Sequence, residues 1–173
     1  NKNIKVYIHG TEDLINFVSK IATVTTSIDD SEMILIGRKE IINNNEINEI
    51  IKSVKKGKNI MGMNKDLTFP TYDNKEKKGN GAVIKLIEDE LNINIQSFGK
   101  PESLYSEYLK MKYIDIDFMI GDRVDTDILL GNNIGATTFL VRSSIKNYME
   151  DSIADYNFNN FSECVSFILK NSK

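Results

Sequence analysis

Three carboxylates, Asp122, Asp125 and Asp127, lie close together in the stretch MIGDRVDTDILLGNNIGATTF, residues 119–139. An apolar, strand-like segment precedes them and a helix-like segment follows. Parallel α/β sheets bind ligands at the carboxyl ends of their strands, so these acids lie where a cation could bind. Gly121 permits a sharp turn before Asp122, and Mg²⁺ prefers oxygen ligands of this kind. Asp122 is therefore a candidate magnesium ligand.

Asp125 and Asp127 have a second interpretation. The sequence DTDI begins a predicted helix, and acidic residues near a helix N-terminus are favoured by capping and by the helix dipole. Asp127 can serve both the helix and a metal site. Arg123 is either a salt-bridge partner of these acids or a solvated loop residue.

Lys100 is a further candidate, because it follows another strand-like segment in the sequence FGKP. A lysine at a strand end can offer its ammonium group to a phosphate, or to the carboxylate that attacks a phosphate. The simpler interpretation is a turn between Gly99 and Pro101 with a solvated lysine.

The elements that must position these residues alternate between strand and helix. We predict strands at 4–10, 31–38, 59–64, 93–98, 115–120 and 137–141, and helices at 11–22, 43–57, 82–92, 102–112, 126–135 and 162–171. This alternation predicts an α/β fold with parallel strands. The loop at 65–81 holds one of the two prolines and is the predicted lobe boundary.

Bulk properties restrict the classes of function. The 173 residues suffice for one domain or two small lobes, and 40% hydrophobic with 27% charged residues is typical of a globular protein. A net charge of -3 argues against nucleic-acid binding, which needs a basic excess. No apolar run approaches the roughly 18 residues of a membrane span. The single cysteine, Cys164, fits a reducing compartment, so we predict a cytoplasmic protein without membrane partners.

Two segments together resemble the haloacid dehalogenase (HAD) superfamily of phosphatases. SFGKPESLYSEYLK is similar to the segment with the third motif of that family, and IDFMIGDRVDTDILLGNNIGATTFLV to the segment with the fourth. The resemblance is strongest to the branch of 4-nitrophenyl phosphatase, phosphoglycolate phosphatase, pyridoxal phosphatase and NagD-like proteins. Upstream, NKDLTFPT looks like the cap loop of this branch and GNGAVIKLIE like its helix entry into the core, so nearly the whole chain is covered.

This resemblance implies two domains and a set of site residues. Residues 1–78 would form an α/β cap, and residues 79–173 the C-terminal part of a HAD-like Rossmannoid parallel-sheet core. Lys100 would be catalytic, stabilising the phosphoryl charge and an aspartyl intermediate. Asp122 would bind Mg²⁺, and Asp127 would support the ion from outside its direct ligands or through a water.

The resemblance also assigns a role to the cap loop. Asn64, Asp66, Thr68 and Phe69 would face the leaving group of the substrate, with Phe69 near the position that discriminates between substrates. An apolar ring at this position favours a flat or uncharged substrate over a carboxylate.

The family's nucleophile motif, a strand ending in Asp-x-Asp-Gly, does not precede the predicted cap. Asp115 and Asp117 are spaced like that motif, but they lie at the start of a predicted strand and Phe118 replaces the glycine. We therefore predict that the chain is inactive on its own. It is either the C-terminal portion of a complete enzyme, which the non-Met start favours, or a gene product that has lost the N-terminal segment with the nucleophile motif.

Two functional hypotheses follow from these observations. The first is a Mg²⁺-dependent phosphomonoester hydrolase, similar to 4-nitrophenyl phosphatase or phosphoglycolate phosphatase, that acts on a small phosphorylated metabolite. The alternative is a catalytically inactive HAD-like binding or interaction module. Because the core lacks strands in both cases, we expect poor solubility, a homodimer, or association with the missing N-terminal segment.

Overall fold

The computed structural model describes residues 4–71, 75–143 and 153–171. The chain divides between Gly99 and Lys100 into two compact units. Each unit has its own parallel sheet.

The first unit is built on a four-stranded parallel sheet with the order β2-β1-β3-β4. Its strands are β1 (Lys5–His9), β2 (Thr23–Thr25), β3 (Met33–Ile36) and β4 (Asn59–Gly62). The helices of this unit are α1 (Glu12–Val18), α2 (Asn44–Lys55) and α3 (Asn80–Leu91).

Side chains alternate across this sheet and so form two cores. Val6 and Ile8 of β1 pack with Val18 of α1. Tyr7 packs against the larger cluster that joins the sheet to α2 and α3. That cluster contains the buried residues Ile28, Ile34, Ile36, Ile47, Ile50, Ile51, Val83, Ile84, Ile87 and Ile95.

A short antiparallel hairpin lies within the predicted loop 65–81. It consists of β5 (Thr68–Pro70) and β6 (Glu76–Lys78). The prediction of a loop was wrong there, because three-residue strands containing a proline or only charged residues lack a readable period. The predicted strand at 93–98 forms only one bridge, between Ser97 and Gly62.

The second unit has a three-stranded parallel sheet with the order β7-β8-β9. Its strands are β7 (Phe118–Gly121), β8 (Thr137–Val141) and β9 (Tyr156–Phe158), and its helices are α4 (Ser103–Lys112), α5 (Leu129–Ile134) and α6 (Phe161–Asn171). A π-helical turn, Val124–Ile128, leads into α5. Phe139 of β8 contacts the rings of Tyr156, Phe158 and Phe167, which joins the sheet to α6.

The predicted α/β class with parallel sheets is confirmed. Helix α3 packs on α2, β3 and β4, so the first compact unit extends to Gly99. The resemblance to a family assigned residues 1–78 to a cap and residues 79–173 to a core, and that assignment stays a prediction.

None of the helices in the described part of the chain is long and apolar enough to cross a bilayer. The cytoplasmic location also stays a prediction.

Candidate active site

The acidic segment forms the turn between β7 and α5. The Ile128 N–H donates to the Arg123 carbonyl at 3.2 Å, and the Asp127 N–H donates to the same oxygen at 2.9 Å. The first bond spans five residues and widens the turn beyond an α-helical one, a feature that often marks functional sites. The turn places Asp127 beside the end of β7.

Asp127 is buried, and both of its carboxylate oxygens accept hydrogen bonds. Oδ1 accepts from Lys100 Nζ at 2.5 Å. Oδ2 accepts from the backbone N–H groups of Asp122 and Arg123, each at 3.2 Å. One carboxylate therefore fixes the lysine and the turn that carries Asp122. The structure thus brings together Lys100, Asp122 and Asp127, the three core residues selected from the sequence.

Gly121 is required by this close approach. A Cβ atom at residue 121 would collide with the Cβ, Cγ and Oδ2 atoms of Asp127. Any side chain there would push the carboxylate away from the strand end. The glycine before Asp122 therefore serves to admit Asp127.

Lys100 stands at the start of the second unit, and its side chain remains 46% exposed although it contacts Asp127. The peptide bond between Lys100 and Pro101 is cis. The Pro101 carbonyl accepts a hydrogen bond from Asn133 Nδ2 at 3.1 Å, which ties this turn to α5. The half-exposed ammonium group can donate to a second acceptor while it remains bound to Asp127.

Arg123 and Asp125 form a pair of their own. Arg123 Nε donates to Asp125 Oδ1 at 3.0 Å and Nη2 donates to Asp125 Oδ2 at 2.6 Å. Of the two interpretations of Arg123, the structure supports the salt-bridge partner. Asp125 therefore has a structural role in the turn that differs from that of Asp127.

Asp122 follows β7 directly and is half-buried. In the described residues, no three His, Cys, Asp or Glu side chains converge as a metal-binding group. Mg²⁺ usually takes only one or two protein carboxylates and completes its shell with waters and phosphate oxygens. The hard oxygen donor of Asp122 therefore fits this ion as one of its ligands.

A cavity of about 440 Å³ lies in the second unit beside β7 and α4. Lys100 and Asp127 lie on its wall, and so does Asp115, which precedes the strand. The position of Asp115 and Asp117 before β7 agrees with their interpretation as strand-entry acids. The other lining residues are mostly apolar: Tyr105, Leu109, Tyr113, Ile116, Met119, Ile120, Leu130 and Ile134.

The predicted cap loop lies in the first unit and is clamped against the start of α3. Asn80 Nδ2 donates to the Asn64 carbonyl at 2.7 Å, and the Gly81 N–H donates to the Asp66 carbonyl at 3.0 Å. Cβ atoms at Gly79 and Gly81 would collide with the loop backbone. The sequence GNG thus allows the loop to touch the helix, and Asn64, Asp66, Thr68 and Phe69 are held on one short segment.

Phe69 is not a bare apolar ring. The Arg38 guanidinium carbon lies 4.4 Å from the centre of the ring. Lys77 is paired directly opposite Phe69 in the hairpin, so both side chains lie on the same face. Sequence reasoning missed both cations, although Arg38 follows the end of β3 as Lys100 follows a predicted strand.

A buried polar cluster also lies at the carboxyl end of β1. His9 is fully buried, and its Nδ1 lies 2.9 Å from Glu46 Oε1. The Tyr7 hydroxyl donates to the same oxygen at 2.9 Å, and Lys39 Nζ donates to Oε2 at 2.7 Å. Within the described residues, His9 Nε2 has no hydrogen-bond partner.

This environment shifts two pKa values in the cluster. Burial alone would raise the pKa of Glu46, but the hydrogen bonds from Lys39, His9 and Tyr7 outweigh it and hold the pKa below its usual value. Burial, followed by the hydrogen bond to Glu46, raises the pKa of Tyr7 well above its usual value. Glu46 is thus favoured as a carboxylate and Tyr7 as a neutral donor.

Residues 97–163, which include Lys100, Asp122 and Asp127, match the model of the HAD-hydrolase-like family. The chain is similar to HAD-type phosphatases. The resemblance predicted from the sequence is therefore confirmed, and the α/β fold is of the HAD-like type.

Three individual proteins illustrate the relationship. The acid sugar phosphatase of Staphylococcus haemolyticus is 26% identical over 179 residues, covering 97% of this chain and 66% of that protein. A p-nitrophenyl phosphatase from Archaeoglobus fulgidus superposes with a TM-score of 0.79 at 24% identity, covering 95% of this chain and 67% of its own. A glycerol phosphate phosphatase from Mycobacterium tuberculosis, crystallised in complex with magnesium, gives a TM-score of 0.74 at 22% identity, covering 91% and 50%.

The chain is shorter than the proteins it resembles. It spans 66% of the length of the Staphylococcus haemolyticus protein. The similarity extends along nearly the whole of this chain, so both compact units have counterparts in that relative.

Proposed function

We propose that this chain carries the lysine-and-metal part of a Mg²⁺-dependent phosphomonoester hydrolase. The observation that supports this most directly is the double contact of Asp127, which binds Lys100 with one oxygen and the Asp122 backbone with the other. The Lys100 ammonium group and the candidate Mg²⁺ ligand Asp122 are thereby held at one strand end, where the ammonium group and a bound Mg²⁺ would together stabilise the negative charge of a phosphoryl group.

Each of the three residues has a separate role in this proposal. The Lys100 ammonium group stabilises the negative charge on the phosphoryl oxygens and on the attacking carboxylate. Asp122 holds Mg²⁺, which supplies further charge stabilisation when it is bound. Asp127 touches neither reactant and acts as a positioning residue for the other two.

Covalent phosphoryl transfer also needs an attacking carboxylate and an acid that protonates the leaving oxygen. Asp115 does not meet this need, because it lies at the amino end of β7 and Asp122 follows the carboxyl end. We propose that a further strand supplies both groups by adding to β7. In the described part of the chain β7 pairs only with β8, and the apolar cavity beside it can accept side chains of an added strand.

The substrate in this proposal is a small phosphorylated metabolite. The similarity to an acid sugar phosphatase favours a sugar phosphate. Asn64, Asp66, Thr68 and Phe69 would recognise the organic part of the ester.

The test compares residues 1–173 with the full-length gene product, using p-nitrophenyl phosphate with and without Mg²⁺. We expect Mg²⁺-dependent hydrolysis by the full-length protein and none by residues 1–173 alone. Lys100→Ala should abolish turnover, whereas Lys170→Ala, an exposed lysine of α6, should leave it unchanged. A folded full-length protein that hydrolyses no phosphomonoester would instead favour the inactive interaction module.

The proposed strand addition has its own measurement. Co-expression of residues 1–173 with a separate segment that carries the proposed strand should give a soluble complex and restore hydrolysis. Sedimentation then separates this complex from a homodimer by mass. If residues 1–173 form a stable, soluble monomer that does not bind the added segment, the proposed strand addition is contradicted.

A further inference from the structure

Asn133 lies in the last turn of α5, and its side chain reaches the turn at Lys100 and Pro101. Its Nδ2 donates to the Pro101 carbonyl at 3.1 Å, between residues 32 positions apart. Asn133 is exposed, so water could satisfy its amide equally well, and the contact is not the rescue of a buried polar group. What the contact does is hold the backbone of the residue that follows Lys100.

One helical segment therefore holds Lys100 from two sides. Asp127, in the π-helical turn that leads into α5, accepts from Lys100 Nζ at 2.5 Å. Asn133, six positions later, holds the adjacent backbone through the Pro101 carbonyl. A lysine side chain is a flexible four-carbon stem, so a contact at its tip alone does not fix where the ammonium group lies. The second contact, near the base of the side chain, removes much of that freedom.

The segment that makes both contacts is packed closely on the sheet of the second unit. A Cβ atom at Gly131 would collide with Thr138 of β8 and Met119 of β7. Helix α5 ends at Gly135, whose φ of 80° lies in the left-handed region, and the Ala136 N–H donates back to the Gly131 carbonyl at 3.0 Å. A side chain on α5 can thus hold the turn at Lys100 in a fixed position relative to β7.

We propose that Asn133 is a positioning residue for catalysis, which holds the Pro101 carbonyl and through it the Lys100 ammonium group. The effect on catalysis rests on the proposed phosphatase function, whereas the effect on the position of Lys100 does not. A cation that is already in place stabilises developing charge without reorganisation during the reaction. Asp127 also holds the turn that carries Asp122, but the Asn133 side chain contacts only the turn at Lys100. The two residues should therefore differ in their effect on Mg²⁺.

A second contact of Asn133 provides an internal control. Lys110 Nζ of α4 donates to the Asn133 backbone carbonyl at 3.0 Å. This contact uses the backbone of Asn133, so a substitution of the side chain leaves its acceptor in place. If the end of α5 loosened as a whole, both Lys100 and Lys110 would be released. If only the side-chain contact is lost, Lys100 alone should respond.

The kinetic test uses the full-length protein, p-nitrophenyl phosphate and a titration with Mg²⁺. Asn133→Ala should lower kcat about 2- to 10-fold, the contribution of one neutral hydrogen bond, and leave the Mg²⁺ concentration for half-maximal activity unchanged. Asn133→Gln keeps a donor on a longer stem and should recover part of the loss, whereas Asn133→Asp, a carboxylate without a donor, should not. Asn132→Ala is the matched control, because this exposed neighbour donates to a different carbonyl, that of Ile153 at 3.2 Å. It should leave kcat unchanged.

A labelling measurement separates failure of this inference from failure of the proposed function, because it needs no turnover. The full-length protein is treated with a limiting amount of acetic anhydride, and acetylation of Lys100 and Lys110 is followed by mass spectrometry of the peptides. The Lys100 amine must leave Asp127 before it can react, so Asn133→Ala should raise its rate about 2- to 10-fold. The rate at Lys110, and both rates in Asn132→Ala, should stay as in the wild type.

Faster acetylation of Lys100 alone supports the positioning role even if the full-length protein hydrolyses nothing. An unchanged rate at Lys100, or an unchanged kcat in an active enzyme, overturns the proposal. It is also overturned if the rate at Lys110 or the half-activating Mg²⁺ concentration changes by the same factor as the rate at Lys100, because α5 as a whole has then loosened.

Discussion

Lys100 Nζ lies 2.5 Å from Oδ1 of the buried Asp127, and the remaining oxygen of that carboxylate accepts the Asp122 N–H. The two residues are 27 positions apart in the sequence, so the contact is a product of the fold. It makes the position of the lysine dependent on the same group that shapes the turn of the candidate metal ligand. A change at Asp127 should therefore disturb both the position of Lys100 and the turn that carries Asp122.

Asp127→Asn tests this dependence. An amide can accept from either Lys100 or the backbone N–H groups with its oxygen, but it presents N–H donors on the other side and leaves one partner unsatisfied. We expect a loss of about 1–3 kcal/mol in the free energy of unfolding and a 10- to 100-fold loss of activity in the full-length enzyme, roughly the effect of removing a residue that supports a metal ligand. Denaturant unfolding and the Mg²⁺ dependence of hydrolysis check the two effects.

Asp125→Asn is the matched control for that variant. Asp125 lies in the same turn, but its partner is Arg123, and a partly exposed pair of this kind contributes at most about 1 kcal/mol. Equal losses of activity in the two variants would show that the turn as a whole, and not the contact with Lys100, matters.

Gly121→Ala should also disturb the contact between Asp127 and Lys100, because it displaces the Asp127 side chain. The added Cβ would collide with the Asp127 side chain, and overpacking of this kind costs about 1–3 kcal/mol. The double variant Gly121→Ala with Asp127→Gly removes all three colliding atoms of residue 127. We therefore expect its destabilisation, measured by denaturant unfolding, to be smaller than the sum of the two single effects. Strict additivity would contradict a direct collision.

Acid should weaken the first unit through Glu46. Its pKa lies below the ordinary value of 4.5, because the hydrogen bonds from Lys39, His9 and Tyr7 outweigh the effect of burial. The unfolded state therefore binds the proton more readily, and stability present above about pH 4.5 is lost as the pH falls through the folded pKa. Unfolding free energies measured from pH 7 downwards should show this loss.

Glu46→Gln isolates that contribution. We expect it to cost about 1–3 kcal/mol at pH 7, because it weakens charge-assisted hydrogen bonds. The difference between wild type and variant should then shrink below about pH 4.5. Glu90→Gln serves as the control, since the Glu90 pair with Lys55 is exposed on both sides and is not expected to alter the profile. A constant difference at all pH values would remove Glu46 as the cause.

The long, periodic elements of this fold could be predicted from the sequence, and the short ones could not. Strand β1 and helix α2 have apolar residues at clear periods, so both can be predicted from the sequence. Strand β9 at Tyr156–Phe158 and the hairpin of Phe69 are three residues long, too short for any period to be read. Such strands form because a neighbouring strand offers hydrogen bonds, and the sequence of a three-residue segment does not show which strand will lie beside it.

The candidate site follows the same division. Lys100, Asp122 and Asp127 could be selected because each lies near the end of a strand in a recognisable motif. The placement of Arg38 over Phe69 depends on a contact between residues 31 positions apart, and only the fold brings them together. The cluster of His9 and Glu46 could not be predicted for the same reason, because these residues are 37 positions apart. From the sequence alone, a histidine in a short strand is interpreted as a packed or solvated residue.

The clamp between the cap loop and α3 gives the last prediction. Gly81→Ala lies in the first turn of a helix, where replacing glycine by alanine ordinarily stabilises by about 1 kcal/mol. Here the new Cβ would collide with the backbone of Lys65, which cannot rotate away as a side chain can. We therefore expect the opposite sign, a destabilisation of about 1–3 kcal/mol in denaturant unfolding. Ala82→Gly, the reverse change one residue later, should show only the ordinary propensity cost of about 1 kcal/mol. A Gly81→Ala protein more stable than wild type would mean that the loop is free to move away from α3, and the fixed backbone that supports Phe69 would then be absent.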